Sequence, residues 1–192
     1  MNSLKIIQTI SKIGEIISKI IYICSIVGLC ISAVALILLP YGDDVLKIGG
    51  VTLKSLFSDV EDLKALCPAV GSFAINCIGY IVLSREAQRY FSLEIKEGTP
   101  FTFNGANLLK RLGIITIIVP ILVTVAAEIF CNVFENITNS TAFSLEELNF
   151  DNEGSIAMGL MLLLLSVLCR CGAELIENKD SRKNIPGENE AV

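Results

Sequence analysis

Gly98–Phe134, GTPFTFNGANLLKRLGIITIIVPILVTVAAEIFCNVF, opens as a polar turn, crosses Lys110 and Arg111, and becomes an apolar helix with a single carboxylate, Glu128. Its uncharged part, Leu112 to Ala127, is 16 residues long. At about 1.5 Å per residue that covers about 24 Å, one turn short of a bilayer core of about 30 Å, and Ile129 to Phe134 supply the missing turn. Three more runs behave alike: Ile20 to Gly42 is uncharged for 23 residues, Ala65 to Ser84 for 20, and Gly154 to Cys169 for 16. The last is completed beyond Arg170 by Cys171 to Ile176. In 192 residues that are 53% hydrophobic and only 18% charged, such runs exceed what one soluble core requires.

The fold expected is all-α: a polytopic membrane protein of four transmembrane helices in an up-down bundle, with short extracellular helices. One domain, residues 1–177, holds helices at about 20–39, 63–83, 112–134 and 154–176. Residues 178–192 are polar, contain Pro186 and Gly187, and are expected to form a disordered cytoplasmic tail. The first run is too long for the core of a cleavable signal, and Leu36 to Leu39 continue it past Ala33-Val34-Ala35, so it is expected to be retained.

Cations set the orientation. Lys5, Lys12, Lys19, Arg85, Arg89, Lys96, Lys110, Arg111, Arg170, Lys179, Arg182 and Lys183 fall on one side, and only Lys47, Lys54 and Lys64 on the other. With loops this short, the positive-inside rule places both termini in the cytoplasm and the chain in the cell membrane. The opposite loop, Glu135 to Glu153, is acidic without a base, and its Ser144-x-x-Glu147 is a capping box for a short helix. Asp43 to Lys64, with Leu53, Leu56, Phe57 and Val60, reads as another short outer helix.

Before the first run, Ile6, Ile10, Ile13 and Ile17 recur at helical steps while Lys5, Lys12 and Lys19 share one face. Such a basic amphipathic helix either lies in the headgroup layer or extends helix one, or it acts as a topology signal alone. Ser25, Gly28 and Ser32 are small enough to turn their side of helix one toward the bundle. Asn76, in the middle of helix two, calls for a neighbouring helix to bond its amide, with substrate contact as the alternative. Glu128 is either a functional intramembrane carboxylate or one that reaches the outer headgroups. Pro120 is expected to kink helix three.

Arg170 and Glu174 are one turn apart and form a modest surface ion pair. Cys67 and Cys131 lie near the outer ends of helices two and three, where they could pair if those helices are adjacent; otherwise the seven cysteines are small buried hydrophobes. Histidine is absent, no C-x-x-C occurs, and no nucleophile elbow or phosphate loop is present, so the expectation is a non-enzyme with no metal and no cofactor.

After Ser84 the helical pattern Arg85, Glu86, Arg89, Tyr90, Phe91 continues to Gly98, a residue suited to a left-handed cap, and Pro100 holds Thr99 extended. Thr102 or Asn104 can cap the next helix. This elbow carries the expected partner surface: Arg85, Arg89, Phe101, Phe103, Asn104, Lys110 and Arg111. Its partner would be a cytoplasmic protein; self-association is a second expectation, and direct nucleic-acid binding is not expected. The alternative function is a small transporter or channel using Asn76 and Glu128.

Gly98-Thr99-Pro100-Phe101, Asn104, Leu108 to Gly113 and Leu168-Cys169-Arg170-Cys171-Gly172-Ala173-Glu174-Leu175 together resemble the bacterial membrane family called domain of unknown function 2975. The resemblance covers roughly Ala65 to Asp180. In that family the closing segment more often carries Ala-Glu-Ile-Phe before its basic residue, whereas here Ala127-Glu128-Ile129-Phe130 lies in helix three. The resemblance implies four spans, no assigned activity, and a small helix-turn-helix regulator as the partner.

Overall fold

The computed structural model describes residues 2–38, 47–48, 51–52, 67–99, 101–138 and 152–183. Four helices account for nearly all of them: α1 (Asn2–Leu38), α2 (Cys67–Glu97), α3 (Phe103–Thr138) and α4 (Asn152–Lys183). Each contains a stretch long and apolar enough to cross a membrane. Two strands of two residues, β1 (Lys47–Ile48) and β2 (Val51–Thr52), pair antiparallel with Ile48 opposite Val51. This pair stands at the start of the segment expected to be a short outer helix. Glycines 49 and 50 separate the two strands in the sequence, a pairing typical of a two-residue hairpin connection. The rest of that segment and the Ser144-x-x-Glu147 box lie outside the described residues.

Packing follows chain order, α1 on α2, α2 on α3 and α3 on α4. Each pair is antiparallel, as the matching residues show. Gly14 meets Phe91 while Gly28 meets Cys77 and Phe73; Arg111 meets Glu86 while Cys131 meets Ser72; Gly113 meets Gly159 while Phe101 meets Gly172. α2 therefore lies between α1 and α3.

The distribution of side chains is inverted relative to a soluble bundle. Large apolar groups such as Ile23, Ile31, Leu122, Leu164 and Val167 are exposed, while buried positions hold Ala106, Cys67, Cys77, Ser72 and Asn76. Among residues 8–38 of α1, whose burial is described, the buried ones are Ser11, Ser18, Ser25 and Ser32, one every seven residues. A strict seven-residue repeat keeps one seam on a facing helix, and this one lies against α2. Ser25 and Ser32 donate to the carbonyls of Ile21 and Gly28 in their own helix, at 2.8 and 2.7 Å. Their hydroxyls are thereby satisfied without a partner across the seam, and the small side chain admits the neighbouring backbone.

The expected side of helix one thus does face the bundle, and the seam continues through Ser18 and Ser11 into the segment before the apolar run. That segment is not separate: α1 is one helix of 37 residues. Lys12 and Lys19 are exposed, and Lys19 pairs with Glu15 at 2.7 Å.

One boundary needs correction. The described part of α2 begins at Cys67, with Pro68 in its first turn, where a missing N–H leaves no bond unmade, and residues 63–66, expected to open this helix, lie outside the described residues. α4 runs to Lys183, so residues 178–183, expected to be part of a disordered tail, are helical. α3 continues through Pro120, which is fully buried.

The tightest approach joins α3 to α4. A methyl group on Gly113 would lie 3.0 Å from the Gly159 carbonyl oxygen, and one on Gly159 would collide with Ile117 and lie 2.9 Å from the Gly113 carbonyl oxygen. Gly159→Val is expected to cost about 1–3 kcal/mol by overpacking this crossing. The expected outcome is a lower unfolding temperature for the purified chain in detergent, with Leu164→Val, at an exposed position on the same helix, close to wild type.

Candidate functional site at the elbow end

Gly98 adopts φ 71°, a left-handed conformation that glycine takes without strain, and its N–H donates to the Glu94 carbonyl at 2.9 Å. Thr102 then caps α3, its Oγ1 accepting from the Gly105 N–H at 3.0 Å. The Thr102 hydroxyl also donates to the Glu97 carboxylate, whose other oxygen accepts from the Asn104 amide at 3.3 Å. Glu97 thus fastens the end of α2 to the start of α3. Asn104, expected to face a partner, contributes its amide to this internal clamp.

The expected partner residues divide by what they touch. Glu86 is only 8% exposed, and its Oε1 accepts from Arg89 at 2.7 Å and from Arg111 at 3.2 Å. One carboxylate therefore neutralises a cation from each of two helices. Arg85 and Lys110 are exposed and make no ion pair among the described residues. Phe103 is exposed as expected. Phe101 is 43% exposed, yet its ring covers Gly172 of α4, where a methyl group would lie 2.6 Å from the ring.

Beneath the elbow, Ala106 and Leu109 of α3 and Cys169 of α4 form a buried cluster, joined by Tyr90 and Leu162. Gln88 donates to the Ser18 carbonyl at 3.1 Å and ties α1 to the same end. On α2, with Glu15 of α1 and Leu108 of α3 at its edges, lies an open groove of about 400 Å³ lined by Arg85, Gln88, Arg89, Ser92, Leu93 and Lys96. Lys96 also makes no ion pair among the described residues, so the groove is basic.

The remaining candidates lie elsewhere. Asn76 is buried on α2, whereas Glu128 is exposed on α3. Arg170 and Glu174 do pair, at 3.4 Å, with both side chains more than half exposed. The disulfide left open between Cys67 and Cys131 is not formed in the structure. Helices two and three are adjacent there, but Cys131 lies opposite Ser72, with Sγ 3.3 Å from Oγ. Cys67 precedes Ser72 by five residues, about 7.5 Å along the helix, which leaves its thiol out of register. No group of three His, Cys, Asp or Glu side chains among the described residues could hold a metal ion.

No family model matches the chain, and no curated protein or solved structure matches it either.

Glu86 was legible in the sequence only as one charge among several. What would have singled it out is its place on the α2 face that meets α3, shared with Tyr90 one turn on. Glu86→Gln is expected to destabilise the chain by about 1–3 kcal/mol, since two guanidinium groups lose their charged acceptor. Arg111→Gln, which leaves Arg89 on Glu86, is expected to cost less than about 1 kcal/mol. Thermal unfolding of the two variants in one detergent measures the difference.

Proposed function

We propose that the chain is a multi-pass protein of the cell membrane, with both termini and the elbow in the cytoplasm, which binds an acidic segment of a cytoplasmic partner in the basic groove on α2. The orientation rests on the placement of the lysines and arginines. The observation that carries the binding role is the contrast among cations at the elbow end: Arg89 and Arg111 are neutralised by Glu86, whereas Arg85 and Lys96 line a groove without an ion pair among the described residues. Unneutralised charge in a concave, protein-walled site attracts ligands of opposite sign and speeds their association. Leu93 and Leu108 give the groove apolar walls beside the charges.

The resemblance to the domain of unknown function 2975 family supports a small helix-turn-helix regulator as that partner. Such a regulator would have to offer carboxylates to the groove. A second copy of the chain is the other partner compatible with the exposed apolar faces. The role is non-enzymatic. Transport through Asn76 and Glu128 has less support, because a shared polar path needs both on one side of a helix pair, and one is buried on α2 while the other is exposed on α3.

Two measurements test this. In intact cells, a membrane-impermeant thiol reagent should leave a cysteine placed at Arg89 unmodified and label one placed at Thr141; the reverse pattern would invert the orientation. The double substitution Arg85→Glu and Lys96→Glu should reduce partner recovery after crosslinking at least tenfold while leaving the unfolding temperature near wild type. Full recovery with the double variant would sink the groove as the binding surface.

A further inference from the structure

A second, smaller cavity lies on the other side of α3. It occupies about 160 Å³ between α3 and α4 and is lined by Ala106, Asn107, Lys110, Leu163, Ser166 and Arg170. Its position follows from the seam. The helices touch through Gly113 and Gly159 on one side of it, and through Ala106, Cys169 and the Phe101–Gly172 contact on the other. Between those two close approaches stand Lys110 and Ser166, and the gap stays open.

The lining has the chemistry of an anion site. Lys110 comes from one helix and Arg170 from the other, so two positive charges flank a single opening. Ser166 is 5% exposed, yet its hydroxyl makes no hydrogen bond to another described residue, unlike Ser25, Ser32 and Ser84, which donate to carbonyls one turn back. No buried side-chain nitrogen or oxygen among the described residues lacks a partner, so this hydroxyl is one that the cavity leaves open to an entering acceptor. The Asn107 amide supplies another donor. Arg170 is held by Glu174 only at 3.4 Å in an exposed pair, which an entering anion can displace. Among the described residues, no carboxylate lines the cavity.

The height of the cavity selects the anion. Lys110 stands two residues before the uncharged run Leu112–Ala127, and Arg170 immediately follows the uncharged run Gly154–Cys169. Both mark the border of the apolar slab, where the phosphates of a bilayer lie. The volume is that of about five waters at ~30 Å³ each, enough for a phosphate group but not for a nucleotide. Walls of Ala106 and Leu163 continue the apolar surface on which an acyl chain would lie.

We infer that this cavity binds the phosphate headgroup of an anionic phospholipid, held by Lys110 and Arg170 with a hydrogen bond from Ser166. The inference rests on the reading of the four helices as membrane spans. Basic pockets between helices at the inner membrane face are sites of this chemical type.

The test uses the full chain purified in detergent and titrated in mixed micelles with phosphatidic acid, phosphatidylglycerol or phosphatidylcholine, and separately with inorganic phosphate. Bound lipid is counted by native mass spectrometry, and thermal stability is followed alongside. The expected result is saturable retention of one anionic lipid, at least tenfold stronger than phosphatidylcholine. Lys110→Gln and Arg170→Gln should each weaken it about tenfold, and Ser166→Ala severalfold. Arg85→Gln should leave it unchanged, and Glu174→Gln, which frees the guanidinium, should strengthen it. Equal retention by wild type and Lys110→Gln would overturn the site, and so would equal retention of anionic and zwitterionic lipid. Protection by inorganic phosphate as strong as by phosphatidic acid would overturn the assignment to lipid. Binding in micelles does not depend on which face of a cell membrane the elbow occupies, so a failed titration and a failed orientation experiment are told apart.

Discussion

Between helices in lipid, one apolar surface gains almost nothing by leaving acyl chains for another, so association must come from close van der Waals approach and internal polar contacts. The residues at the described seams are of the kind that constraint favours. Gly113 and Gly159 bring two backbones together, Gly14 and Gly71 receive the rings of Phe91 and Phe130, and a serine every seventh residue opens α1 to α2. The bulky isoleucines and leucines point outward, where they suit a hydrocarbon solvent. A soluble bundle built this way would expose its driving force and bury almost none.

The elbow end follows a different rule, because there the chain has left the uncharged runs. Polar groups again carry specificity: Glu97 closes the turn, Glu86 holds an arginine from each of two helices, and Gln88 reaches a carbonyl of α1. With these cations neutralised internally, Arg85 and Lys96 are left to line the groove on α2, and Lys110 stands with the weakly paired Arg170 between α3 and α4. Two basic concavities result, one broad and open and the other narrow and set into a seam. They differ in what they can hold.

Much of this architecture is written in local pattern. Four uncharged runs mark the helices, Gly98 and Thr102 mark the turn between α2 and α3, and Ser25, Gly28 and Ser32 mark the inward side of α1. These readings need only the period of a helix or the chemistry of a cap. The features that escaped depend on register between helices, which no single segment encodes. The serine repeat does extend to Ser11 and Ser18, but across a stretch whose lysines and isoleucines dominate the pattern, so the continuity of α1 was not evident. Phe101 lies on Gly172 because a turn and a distant helix meet there. Cys67 and Cys131 are on neighbouring helices at the same end, yet a displacement of five residues separates their thiols. Glu86 looks like any helical surface charge until α3 is laid against it. For the same reason the cavity between α3 and α4 was not visible: neither Lys110 nor Ser166 suggests it alone.

The five residues from Gly98 to Thr102, clamped by Glu97, have a mechanical consequence. A longer or looser connection would let α2 slide along α3 like a piston. Here both helix ends are capped against one another, so a pull applied to the elbow cannot be absorbed as axial travel of one rod past the next. It is transmitted as a tilt of the pair, with the force delivered sideways rather than along either axis.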